Sequence, residues 1–164
     1  MGIAPQGSTY GEMFEAFHHS TQYLTGPDNE SMVRYLTGDK PAGPVPLTEA
    51  AGGEGLSAGR RHYLALCAGC HAASGQGKPN ATVALAGNST IRNKDANNLL
   101  LVMLHGVAAK QFPGNQGRQA MPGFADRLDD AQMAELANYL RVSFGGQKGN
   151  VQAADVQPLR KEAP

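Results

Sequence analysis

The only two cysteines of the chain stand in the run Cys67-Ala68-Gly69-Cys70-His71. Two thiols one helical turn apart, followed at once by an imidazole, match what covalent attachment of a porphyrin needs. The thiols reach its two vinyl groups and the adjacent His ligates the iron from the same side. A structural zinc site would need four N or S ligands, and no second Cys or His pair has the required spacing. A thioredoxin-like pair needs no His and follows a strand, whereas the pattern before Cys67 reads as a helix. A thiol redox pair and a lone disulfide stand as the alternatives to haem.

An iron on His71 needs a donor on its opposite side, and the downstream candidates are Met103, His105, Met121 and Met133. Met103 and Met133 fall inside helical patterns at apolar positions and read as core filler. His105 closes a helix beside Gly106, where a His meets the helix dipole or a carbonyl. Met121 differs, because a Met in a loop between Ala120 and Pro122-Gly123 is poorly explained by packing and is held stiffly enough to present a thioether. Ligation by His71 and Met121 would raise the reduction potential relative to two histidines and leave no open site on iron. That favours an electron carrier over a haem catalyst.

Helices must position these groups. Leu56, Tyr63, Leu64 and Leu66 mark one that runs into the cysteines, and Asp95 is a candidate cap for another reaching about His105. The strongest runs from about Asp130 to Phe144, capped by Asp129 and ended by Gly145-Gly146. Residues 72–94 and Lys110 to Phe124 read as Gly/Pro/Asn-rich loops, and no alternating strand pattern appears, so the class is all-α with long loops. Towards the N-terminus, residues 10–36 read as two helices joined by Leu24-Thr25-Gly26-Pro27-Asp28. Four segments result: a helical segment 1–37, a Pro/Gly-rich linker 38–53, a domain 54–146 and a polar tail 147–164 expected to be extended or frayed.

Gly and Pro supply 31 of the 164 residues, aromatics 6% and Trp none, so a core of large side chains is thin unless a non-protein apolar body completes it. Lys and Arg balance Asp and Glu at 14 each, which gives no overall call for nucleic acid. No stretch approaches the length of a membrane span, and the N-terminus shows neither a secretory signal nor a myristoylation pattern.

An internal echo is visible: Leu24 to Tyr35 and Leu128 to Tyr139 are each eleven residues apart, and each Tyr is followed by Leu. Gly59 and Tyr63 lie eight and four residues before Cys67, and Tyr139 sits in the last strong helix. In these features residues 54–146 resemble a class I cytochrome c domain. The runs Leu85-Ala86-Gly87-Asn88, Leu104-His105-Gly106-Val107, Ala120-Met121-Pro122-Gly123-Phe124-Ala125 and Leu140-Arg141-Val142-Ser143-Phe144-Gly145 are closer still. They resemble the third haem domain of the triple-haem cytochrome subunits that serve membrane-bound bacterial dehydrogenases of the alcohol, gluconate and aldehyde type. His18-His19-Ser20-Thr21-Gln22-Tyr23-Leu24-Thr25, followed by Met32 to Leu36, is similar to the end of the second haem domain there, with Met13 near that domain's distal methionine.

The resemblance implies an all-α class I cytochrome c fold with long haem-wrapping loops, preceded by a segment resembling the end of another such domain. It implies one covalent haem c on Cys67 and Cys70, with His71 and Met121 on iron, passing electrons from a periplasmic dehydrogenase to quinone or the respiratory chain. A haem peroxidase or sensor is the alternative. It further implies a redox-partner protein, a place in the periplasm or on the outer face of the inner membrane, and a chain that is a C-terminal piece or shortened relative exposing an apolar patch near its front. Where such domains usually carry proline to accept the proximal His Nδ1–H, Val83 and Ala84 stand here; a carbonyl comes with any residue, so the bond is expected to survive. From Ala72 to Ala125 five basic residues (Lys78, Arg92, Lys94, Lys110, Arg118) meet one acid, Asp95, a collar suited to an acidic redox partner. Capping or surface roles are expected for His18 and His19.

Overall fold

The structure, a computed structural model, describes residues 3–4, 7–39, 56–113 and 116–162. Most of the linker at 38–53 lies outside the described residues.

Eight helices carry the described chain. They are α1 (Glu12–His19), α2 (Gly26–Thr37), α3 (Ser57–Leu66), α4 (Ala68–His71), α5 (Ser89–Arg92), α6 (Asn97–His105), α7 (Asp130–Gly145) and α8 (Ala153–Leu159). The longest, α7, opens with a capping box in which Asp129 accepts from the Gln132 N–H and the Gln132 side chain accepts from the Asp129 N–H. It ends on Gly146 in the left-handed conformation at φ 61°. The start of α2 uses the same device between Thr25 and Asp28, with Pro27 in its first turn. The start of α6 differs from expectation. Asp95 accepts from the Asn97 N–H, yet the cap position falls on Ala96, which has no side chain to bond.

The core forms where α7 crosses α3. Tyr63 on α3 meets Tyr139 and Phe144 on α7 at centroid distances of 5.5 and 5.2 Å, with the latter pair edge-to-face. Gly59 lets the helices touch: a Cβ there would lie 2.2 Å from the Glu135 carbonyl oxygen and 2.7 Å from Tyr139 Cβ. Arg141, 3% exposed, staples the loop before α6 by donating to the carbonyls of Asn93 and Lys94.

Two expectations need correction. The loop at Lys110 to Phe124 begins with an antiparallel ladder, β3 (Lys110–Phe112) against β4 (Gln116–Arg118), and a second short pair joins β1 (Ile3–Ala4) to β2 (Gly7–Ser8). These strands are too short to show an alternating pattern, and β3 is fixed by Phe112, which packs with Phe14 and Phe17 of α1 into a separate small cluster. The tail is likewise neither extended nor frayed. It forms α8, which buries Val156 and Leu159 against the core. Asn138 and Val151 exchange reciprocal 2.9 Å bonds, and the Arg160 guanidinium pairs with Asp130 and donates to the Leu128 carbonyl. Three apolar residues spread through a polar sequence are enough once these bonds set the register.

At the front, α1 docks on the β3–β4 hairpin through those phenylalanines and through Glu15, which takes a 3.1 Å ion pair from Lys110. Helix α2 buries no residue, and Val33, Tyr35 and Leu36 stand exposed beside Tyr23 and Leu24.

Replacing Gly59 by Ala forces a methyl into backbone and should destabilise the chain by about 3 kcal/mol, the upper end for overpacked contacts. Denaturant unfolding of the two chains measures it.

Candidate functional site

The cysteines sit where α3 ends. Cys67 is at once the last cap of α3 and the start of the single turn α4, whose closing bonds run from the Cys70 and His71 N–H groups to the Cys67 carbonyl at 3.1 and 2.9 Å. After His71 the chain turns sharply through Ala72 at φ 64°, a conformation costly for a residue with a Cβ, and the Tyr63 hydroxyl donates to the Ala72 carbonyl. The aromatic residue one turn before Cys67 thus braces the residue after His71. Two long-range bonds hold the turn from below: Thr82 Oγ1 donates to the Cys70 carbonyl and Lys78 Nζ to the Gly69 carbonyl, both at 2.7 Å.

His71 is buried, and its Nδ1 donates to the Val83 carbonyl at 3.0 Å. The bond that family proline usually receives is therefore made by valine, since it needs only the carbonyl. It fixes the ring and leaves Nε2 as the nitrogen able to ligate. Burial lowers the imidazole pKa, so the ring stays in the neutral form that a metal requires.

Met121 is placed from the other side. It exchanges two backbone bonds with Val107, at 2.9 and 2.8 Å, in an isolated bridge just past the end of α6. Gly106, at φ 78°, permits this approach, because a Cβ there would come within 2.3 Å of the Met121 carbonyl oxygen. The four residues singled out by spacing and loop context, Cys67, Cys70, His71 and Met121, all line one cleft. It encloses about 1140 Å³ of atom-free space including its mouth, and its walls are mainly apolar, with Leu66, Ile91, Leu99, Val102 and Leu140 among them. An apolar cleft lined by two thiols, an imidazole and a thioether has the donor set that would suit a covalently held porphyrin iron.

The other candidates fall elsewhere. Met103 and Met133 are buried in the core, although Met103 also reaches the cleft wall. His105 turns away and bonds the Leu159 carbonyl of α8 at 3.0 Å. On α1, His18 stacks on Phe14 and His19 pairs with Glu15, so both serve that helix and its docking. The basic collar is divided: Lys110 pairs with Glu15 and lies over the Phe14 ring, Arg118 is buried and Lys78 donates to the Gly69 carbonyl, which leaves Lys94 exposed and Arg92 half-buried.

Sequence reasoning missed Ser8 and Tyr10, which also line the cleft. Nothing local distinguishes them, since the wall they meet lies about a hundred residues further on, where Arg118 donates to the Ser8 hydroxyl.

Comparison with known proteins gives a consistent result. Residues 56–143 match the family model for cytochrome c. The chain is 31% identical to the cytochrome c subunit of the quinone alcohol dehydrogenase of Gluconacetobacter polyoxogenes, with 97% of this chain and 36% of that protein aligned. It is 31% identical to the gluconate 2-dehydrogenase cytochrome c subunit of Pantoea cypripedii, over 94% of this chain and 38% of that protein. Cytochrome c-552 of Thermus thermophilus is 35% identical over 51% of this chain and 66% of its own length. The chain thus spans little more than a third of the dehydrogenase subunits it matches.

In the haem-free chain the two thiols should differ. Cys67 is buried, and desolvation, with Cys70 beside it, pushes its pKa up to about 12, whereas Cys70 is exposed. Iodoacetamide at neutral pH should therefore label Cys70 about tenfold faster or more, because each pH unit below a thiol's pKa lowers its thiolate about tenfold. Peptide mapping of partly labelled protein reads the ratio.

Proposed function

We infer the function from the family: this chain belongs to the cytochrome c family, and membership implies a covalent haem c. Our reading is that the chain carries one such group and passes single electrons by it. The observation that supports this best is the convergence of Cys67, Cys70, His71 and Met121 on a single apolar cleft. When bound there, the haem supplies a reversible one-electron Fe(II)/Fe(III) couple. The rest is work for the side chains.

Cys67 and Cys70, one turn apart on α4, fix the porphyrin edge by thioether links. His71 would offer its Nε2 to the iron, while the Val83 carbonyl accepts its Nδ1–H and keeps the ring in one tautomer and one plane. Met121, which lines the same cleft, would offer its thioether as the second donor. Its backbone bonds to Val107 and the tight Gly106 approach hold it in place through a change of oxidation state, so reorganisation is small. Bound there, a haem with a thioether donor would favour Fe(II) and have a raised potential, and with both donors engaged it would offer no open site to O₂ or peroxide. No observation favours a peroxidase or sensor, which would need Met121 to leave.

The relatives are named as cytochrome subunits of dehydrogenases, so we assign this chain the same place, between a dehydrogenase's catalytic subunit and quinone or an oxidase. Such a role, and haem attachment itself, put it in the periplasm or on the outer face of the inner membrane. Among the described residues no helix is long and apolar enough to cross a membrane.

Produced by export into a periplasm with haem-maturation machinery, the chain should show sharp low-spin bands and a methionine–iron(III) charge-transfer band. Met121→Ala should keep the haem covalently attached, lose the charge-transfer band and lower the midpoint potential. An unchanged spectrum would remove Met121 from the iron.

A further inference from the structure

The cleft wall holds one cation whose needs the protein leaves unmet. Arg118, at the end of β4, is 9% exposed and lines the cleft. Its Nη1 donates to the Ser8 hydroxyl and its Nη2 to the Ala108 carbonyl, each at 3.2 Å. Its Nε is buried with no hydrogen-bond partner, and among the described residues no carboxylate pairs with it. A guanidinium taken out of water without a counter-charge is costly. The edge formed by Nε and a neighbouring Nη is the fork that receives a carboxylate in two parallel bonds. Gln116 Oε1 is the other buried orphan, but Gln116 is not among the lining residues.

The second observation is what holds Arg118 there. Residues 7–10 run along the wall of the cleft. Ser8 and Tyr10 line it, the Tyr10 side chain bonds Thr90, and Gly7 lies against Ser89, where a Cβ would sit 3.1 Å from the hydroxyl oxygen. All of these N-terminal residues precede residues 56–143, the stretch that matches the family model.

We propose that Arg118 binds a carboxylate of the porphyrin periphery inside the cleft, and that residues 7–10 form a strap that aims Arg118 and shields the pair from water. This rests on the haem reading above. Burial also lowers the Arg118 pKa, the mark of a charge that an anion would relieve. A fixed positive charge near the iron favours the reduced state, so the strap couples the front of the chain to the reduction potential.

The test uses the full haem-loaded chain and its variants Arg118→Gln, Arg118→Lys and Ser8→Ala, with the midpoint potential measured at fixed ionic strength with and without added acetate. The optical spectrum is recorded first. A wild-type chain without haem bands overturns the haem reading itself, and this proposal with it. With bands present, Arg118→Gln should lower the potential, Ser8→Ala should lower it less, and Arg118→Lys should recover most of the loss. A merely structural Arg118 would change the melting temperature and leave the potential of the loaded protein in place, and that result overturns the proposal. Should Arg118→Gln fail to mature, a Ser8→Ala chain with the wild-type potential overturns it instead. A wild-type potential that moves with acetate would assign the site to a free carboxylate from solution and also overturn it, whereas indifference to acetate is the expected result.

Discussion

The contact on which the rest depends is the one Gly59 makes possible. With a hydrogen in place of a methyl, α3 lies against the backbone of α7 at Glu135, and Tyr63 slides between Tyr139 and Phe144. Because α4 continues from the last residue of α3, the seat of α3 fixes where both thiols and the imidazole emerge. The Tyr63 hydroxyl extends that control past His71 by bonding the Ala72 carbonyl. One close helix crossing therefore sets the position of Cys67, Cys70 and His71, and a packing fault there would displace all three together.

The segment that carries Met121 is built on another principle. Met121 belongs to no helix, and its place comes from backbone pairing with Val107 and from a glycine where any other residue would collide. A loop held by main-chain bonds places its Met through the backbone, and the close approach needs glycine at Gly106 and Gly123. The same logic explains how Val83 can do what proline does elsewhere: the His71 ring needs an oxygen at the right distance, and the neighbouring bonds of Thr82 and Lys78 already hold that loop.

Much of this was legible because the signals are local. Cys67, Cys70 and His71 are contiguous, and Gly59 and Tyr63 stand at fixed offsets from them. Asp129 and Gly146 flag the ends of α7 through chemistry contained within a turn. The features that escaped share the opposite property. The tail became a helix because Arg160 finds Asp130 and Asn138 finds Val151, pairings without local periodicity. The β3–β4 ladder depends on Phe112 meeting Phe14 and Phe17 across the molecule. Arg118 counted as one member of a basic collar in the sequence, and only its burial beside Ser8 separates it from Lys94.

The separation in sequence of the contacts that join the cleft and its supports bears on how the chain must come together in time. Ser8 meets Arg118 across 110 positions, Glu15 meets Lys110 across 95, and His62 meets Glu135 across 73. A chain emerging N-terminus first offers the paired thiols and His71 while Met121 and the whole of α7 are still to come. At that moment no stable pocket exists, because closing such long loops gains nothing until the last helix arrives. Until then the thiols of Cys67 and Cys70 are as open to a reagent as those of a peptide, and the burial of Cys67 comes only with the last helix.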